Sequence, residues 1–183
     1  MGTIKDSLTF DDVSLIPQHS SIVPNETKTS IELFKNLKLK IPLISSAMDT
    51  VTESKMAIAI GKLGGIGVIH RNLTIEKQVQ EVKRVKKQNL LVGAAIGVNN
   101  NDLDRAKKLS KANVDLLVID TAHGHTNKVL QIIKKVKKKI KGVPLCAGNI
   151  ATGKAAKFLA DSGVDIVKVG IGPGSICTTR LVA

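Results

Sequence analysis

Residues 168 to 180 read Lys-Val-Gly-Ile-Gly-Pro-Gly-Ser-Ile-Cys-Thr-Thr-Arg and place one cysteine at the tip of a glycine-rich segment directly after an apolar run. Val164, Ile166, Val167 and Val169 have the makeup of a buried strand. Gly170, Gly172 and Gly174 allow positive φ and a close backbone approach to a ligand. This pattern presents Cys177 to a ligand as a nucleophile instead of packing it in a core. The amides of such a loop could cradle a phosphate and its carbonyls could ligate a cation. Cys146, in the apolar stretch Val143-Pro144-Leu145-Cys146-Ala147, reads instead as a small buried hydrophobe.

A nucleophile needs a scaffold, and short apolar runs alternating with amphipathic stretches supply one. Strands are expected over 41–45, 66–69, 91–96, 116–120, 144–147 and 166–170. Helices are expected over 53–63, 75–87, 102–112, 126–141 and 152–162, with Thr74 as a helix start. Polar residues cluster where these strands end: Ser45, Ser46, Met48 and Asp49, then His70, Arg71 and Asn72, then Asp120 and His123, then Gly148 and Asn149, and last Cys177. In a (β/α)8 barrel all such loops converge on one mouth, whereas in an open doubly wound sheet only those near the switch point meet. No segment carries the complete dinucleotide fingerprint of glycines and a distant acidic residue. The expected fold is therefore an α/β (β/α)8 barrel of which about six βα units lie in this chain, a full barrel needing about 250 residues.

Composition narrows the function classes. The 183 residues, 43% of them hydrophobic, suit one globular domain without an internal linker. Two cysteines do not make a disulfide framework, no apolar run is long enough to span a bilayer, and the first residues carry no secretory core. A reducing, cytoplasmic setting is expected. The net charge of +13 comes largely from lysines such as those at 134, 135, 137, 138, 139 and 141, which lie opposite Ile132, Ile133, Val136 and Ile140 on a helix and read as a solvated face. With no Trp, no Tyr and only three Phe, the chain lacks the stacking platforms of single-strand binders, so nucleic acid is not the expected partner. The surplus charge would still draw in phosphorylated ligands. His123 and His125 suggest a turn more than a metal site, and Asp120 and Asn149 could act as helix caps as readily as ligands.

Leu8-Thr9-Phe10-Asp11-Asp12-Val13, the run from Ser45 to Glu53, Gly64-Gly65-Ile66-Gly67-Val68-Ile69-His70, the run from Asp120 to His125, Gly148-Asn149 and the run from Gly170 to Arg180 together resemble the inosine monophosphate dehydrogenase family. The resemblance spans nearly the whole chain in the right order. It implies a barrel, usually tetrameric, that converts IMP, NAD and water to XMP and NADH, with K+ held in the cysteine loop. By the same resemblance Cys177 attacks C2 of the purine, Thr179 assists proton movement in hydrolysis and Asn149 positions the reacting groups. Ser46, Met48, Gly174, Ser175 and Ile176 would contact IMP, and Asp120, Thr121, Asn149, Gly170 and Gly172 would face the dinucleotide. Carbonyls of Gly172, Gly174 and Cys177 would ligate the cation.

The resemblance has two departures. Most members insert regulatory CBS modules where Val85-Lys86-Lys87-Gln88-Asn89 here runs straight into Leu90-Leu91-Val92, so residues 1–183 are expected to be a catalytic barrel portion without a CBS domain. The family's later strands and its flap with a catalytic arginine are not found before Ala183. The rival readings are a GMP reductase and a non-catalytic nucleotide-binding barrel.

Overall fold

The structure, a computed structural model, describes residues 12–172 and Gly174. An antiparallel hairpin of β1 (Ile31–Phe34) and β2 (Leu37–Leu39) precedes β3 (Ile44–Ser45), α1 (Ser54–Lys62), β4 (Ile66–Ile69), α2 (Ile75–Lys86), β5 (Val92–Ile96), α3 (Asp102–Lys111), β6 (Leu116–Asp120), α4 (Asn127–Lys139), β7 (Leu145–Ile150), α5 (Gly153–Asp161) and β8 (Ile166–Val169). Strands β3 to β8 form one parallel six-stranded sheet in strict chain order. A doubly wound sheet reverses its order at a switch point, and none occurs here. Right-handed crossovers that always step to the next strand put every helix on the same face, which is how a (β/α)8 barrel is wound. The fold is that of a partial (β/α)8 barrel, as expected.

The strand side chains sort by parity. Ile69, Val92, Ala94, Ile96, Leu117, Ile119, Leu145 and Ala147 are buried under the helices with Val82, Leu109, Ile133 and Leu159. Ile66, Val68, Ala95, Leu116, Val118 and Cys146 point to the other face, where Leu37 and Leu39 of the hairpin cover them. The hairpin, which carries no strand signal in the sequence analysis, thus closes one end of the luminal face. Gly67 sits where a Cβ would lie 2.5 Å from the Cα of Ala57, so a glycine there lets α1 lie directly on β4.

Local chemistry sets the helix ends. Thr74, Thr126 and Thr152 precede α2, α4 and α5, and their hydroxyls accept from Lys77, Val129 and Ala155 amides at 3.2, 3.3 and 3.2 Å. These threonines take the capping role that Asp120 and Asn149 might otherwise have had. On α4, Val129, Ile132, Ile133 and Val136 are buried while Lys134, Lys135, Lys138 and Lys139 are exposed, the solvated face read from the sequence. No helix among the described residues is long and apolar enough to cross a membrane.

Two strand boundaries differ from expectation by more than one residue. The first barrel strand is Ile44–Ser45 and not 41–45, because the Leu43 amide closes a local turn onto the Ile41 carbonyl. Strand β7 runs on to Ile150, with a register shift against β8 between Gly148 and Ile150. Gly148 and Asn149 therefore lie inside a strand end and not in the loop beyond it.

Candidate active site

At the C-terminal ends of the strands the loop after β3 forms a closed knot. The Ser46 carbonyl accepts from the Met48 amide at 2.9 Å and from the Thr52 hydroxyl at 2.5 Å. Ser46 is exposed and Met48 is 59% exposed, so both side chains are available to a ligand. The next loop is tied to this one. His70, only 2% exposed, accepts at Nδ1 from the Asn72 amide at 3.2 Å, which leaves Nε2 to donate to Glu53 Oε1 at 3.3 Å. The Asn72 side-chain amide donates to Asp49 Oδ2 at 2.5 Å.

Three adjacent strand ends, those of β6, β7 and β8, meet through the polar groups that the sequence singles out. The Thr121 amide and hydroxyl both donate to the Gly148 carbonyl, at 3.0 and 2.8 Å, and the Asn149 amide returns a bond to the Thr121 carbonyl at 2.9 Å. The Gly148–Asn149 peptide is cis. The Asn149 side chain donates from Nδ2 to the Gly170 carbonyl at 2.8 Å, and the Gly170 amide donates to Ile150 at 2.7 Å. Gly170 and Gly172 have φ of 117° and 56°, a region in which glycine alone is unstrained. Asn149 thereby holds the first residue of the glycine-rich segment. Gly174 is exposed; Ser175, Ile176, Cys177 and Thr179 lie outside the described residues.

Lys168 completes the cluster. It shares luminal parity with Ile166, and its ammonium donates to Asp120 Oδ1 at 2.7 Å. A charge-assisted bond of this length fixes the carboxylate at the mouth. Sequence reasoning passed over Lys168, although a lone cation inside Ile166-Val167-Lys168-Val169 was the available signal. Beneath the mouth, Ser46, Ala47, Val68, Val118, Cys146 and Lys168 line part of a mainly apolar cavity of about 290 Å³. Cys146 is 6% exposed, and burial pushes its thiol up to about 12, outweighing the pull of the Lys168 ammonium. Its burial matches the small buried hydrophobe that its sequence context suggests.

The structure brings Ser46 and Met48 to one part of the sheet's C-terminal edge and Asp120, Thr121, Asn149, Gly170 and Gly172 to another, on strands of a single curved wall. His125 packs against Phe158 with ring centroids 4.6 Å apart, and among the described residues no group of three or more His, Cys, Asp or Glu could hold a metal ion.

A partial (β/α)8 barrel with a luminal cavity and polar groups gathered at its C-terminal edge defines an α/β-barrel enzyme class. Residues 7–183 match the profile of the IMP dehydrogenase / GMP reductase domain, and the chain belongs to that family. It is 44% identical to an inosine-5'-monophosphate dehydrogenase of Borreliella burgdorferi, the match taking in 98% of this chain and 57% of that protein. It is 42% identical to the Cryptosporidium parvum enzyme of the same name, over 100% of this chain and 56% of the relative. Identity to the Aquifex aeolicus protein of that name is 32%, over 98% of this chain and 63% of the relative. The chain thus spans little more than half the length of these relatives.

Proposed function

We propose that residues 1–183 form the N-terminal part of a single catalytic barrel domain, without CBS modules, in an enzyme that oxidises IMP to XMP through a covalent thioimidate on Cys177. The observation that supports this reading is the bond from Asn149 to the Gly170 carbonyl, which ties the first residue of the glycine-rich segment to the end of β7. Ser46 and Met48, with Gly174, Ser175 and Ile176, hold the nucleotide, so that the Cys177 thiolate adds to purine C2. Thr179 moves a proton during hydrolysis of the adduct.

NAD fits the opposite part of the mouth and, when bound, supplies the hydride acceptor. Asp120, a quarter exposed and already oriented by Lys168, accepts from ribose hydroxyls, while Thr121, Asn149, Gly170 and Gly172 shape the nicotinamide end. K+ suits hard backbone oxygens, and carbonyls of Gly172, Gly174 and Cys177 would hold it, beside the loop in which negative charge develops. The reading includes a cytoplasmic homotetramer.

The test uses a polypeptide completed to the eight βα units of the barrel, mixed with IMP and NAD and followed by NADH absorbance. NADH should form with IMP and not with GMP, faster in potassium than in sodium at equal ionic strength. Cys177→Ala should keep IMP binding and lose NADH formation. Ordinary NADH production by that variant would rule out the covalent step.

A further inference from the structure

Thr52 is fully buried, and its position exploits all three of its hydrogen-bonding groups. Its hydroxyl donates to the Ser46 carbonyl at 2.5 Å, its amide donates to the Met48 carbonyl at 3.2 Å, and its own carbonyl accepts from the His70 amide at 3.3 Å. The segment 46–52 is thereby folded back on itself and anchored to the end of β4. The tip of this segment is under strain: Thr50, a β-branched residue, has φ of 61°. Such a conformation persists only where the surroundings over-determine it, and the contacts of Thr52 supply that constraint.

We infer that Thr52 is a positioning residue for the nucleotide: its hydroxyl sets the Ser46 backbone, and through it the Ser46 and Met48 side chains, without touching the ligand. The inference rests on the reading that Ser46 and Met48 contact IMP. The hydroxyl is the separable part of the device. Valine keeps the β-branched outline of threonine but not its hydroxyl, and in Thr52→Val the backbone bonds to Met48 and His70 remain while the Ser46 carbonyl loses its side-chain tether. Because the hydroxyl acts through the Ser46 backbone, its loss should weaken nucleotide binding and leave the chemical step alone.

In the protein completed to eight units, IMP affinity is measured by calorimetry, and kcat and KM from NADH formation, for wild type, Thr52→Val and Thr52→Ser. Thr52→Val should bind IMP about twofold to tenfold more weakly, the range for one net hydrogen bond, with kcat within about twofold. Thr52→Ser, which keeps the hydroxyl, should bind as wild type does. Equal affinity of wild type and Thr52→Val overturns the positioning role alone, as does a Thr52→Ser variant as weak as Thr52→Val. A wild type that fails to bind IMP overturns the functional reading and this inference with it. Should Thr52→Val not unfold cooperatively, Thr52→Cys takes its place, since a thiol is only a weak donor, and the same outcomes apply.

Discussion

The Lys168 ammonium on β8 crosses the intervening strand β7 to reach Asp120 on β6, meeting Oδ1 at 2.7 Å. The crossing is possible because the luminal position between them is Gly148, where an added Cβ would stand 2.7 Å from the Lys168 Cβ and 2.5 Å from its carbonyl oxygen. One missing side chain on the middle strand lets two charged ones pair over it. Lys168 also lines the luminal cavity.

Lys168→Met in the completed protein should raise KM for NAD about tenfold, since a hydrogen bond to a charged group contributes roughly 1.5–3 kcal/mol and Asp120 would lose both its tether and its countercharge. Lys168→Arg should stay within about threefold. Steady-state kinetics with NAD varied checks both, and an unchanged KM in the methionine variant would sink the role.

Glu81 caps a helix other than its own. Its Oε2 accepts from the Ser54 amide at 2.8 Å at the start of α1, and the Arg84 guanidinium pairs with the other oxygen. Burial opposes the charge, but the Ser54 bonds together with Arg84 and His70 prevail and hold the carboxyl below its ordinary range. A carboxylate depressed in the folded state stabilises fully above its unfolded pKa, and that contribution disappears as pH falls through the lower folded value. Glu81→Gln should therefore cost about 1–2 kcal/mol at neutral pH and progressively less in acid, as read from denaturant midpoints across pH. A pH-independent difference would contradict this.

Burial that keeps the Cys146 thiol protonated up to about 12 makes it a built-in control for the nucleophile. At neutral pH iodoacetamide should label Cys177 first, with IMP slowing that reaction in the completed protein, and Cys146 should react only on unfolding. Peptide mass spectrometry distinguishes the sites. Equal rates at both would count against Cys177.

Expressed as these 183 residues alone, the chain should associate and form no NADH. Strands β3 and β8 bound the sheet, and the apolar residues near its edges are uncovered: Leu43 is 54% exposed, Ile44 45% and Val169 72%. Open, apolar strand edges template pairing with other chains. Light scattering after size exclusion measures this, and a clean active monomer would refute it.

Strand and helix existence and the choice of barrel over open sheet were legible in the residues: the continuous apolar run Leu116 to Ile119, the 3.6-residue stripe of Ile132, Ile133 and Val136, Thr74 before a helix, and polar residues recurring at strand ends. The family resemblance was legible too, its motifs being local runs. What tertiary structure alone decided are the relationships between strands. That Lys168 reaches Asp120 over Gly148, that Asn149 grips Gly170, that the Thr52 carbonyl receives the His70 amide, and that the hairpin of Leu37 and Leu39 covers the luminal face are contacts between separate elements. The crossovers of a parallel sheet bring residues far apart in the chain, such as Asp120 and Lys168 on either side of β7, within reach of each other, and no local pattern encodes which of them will meet.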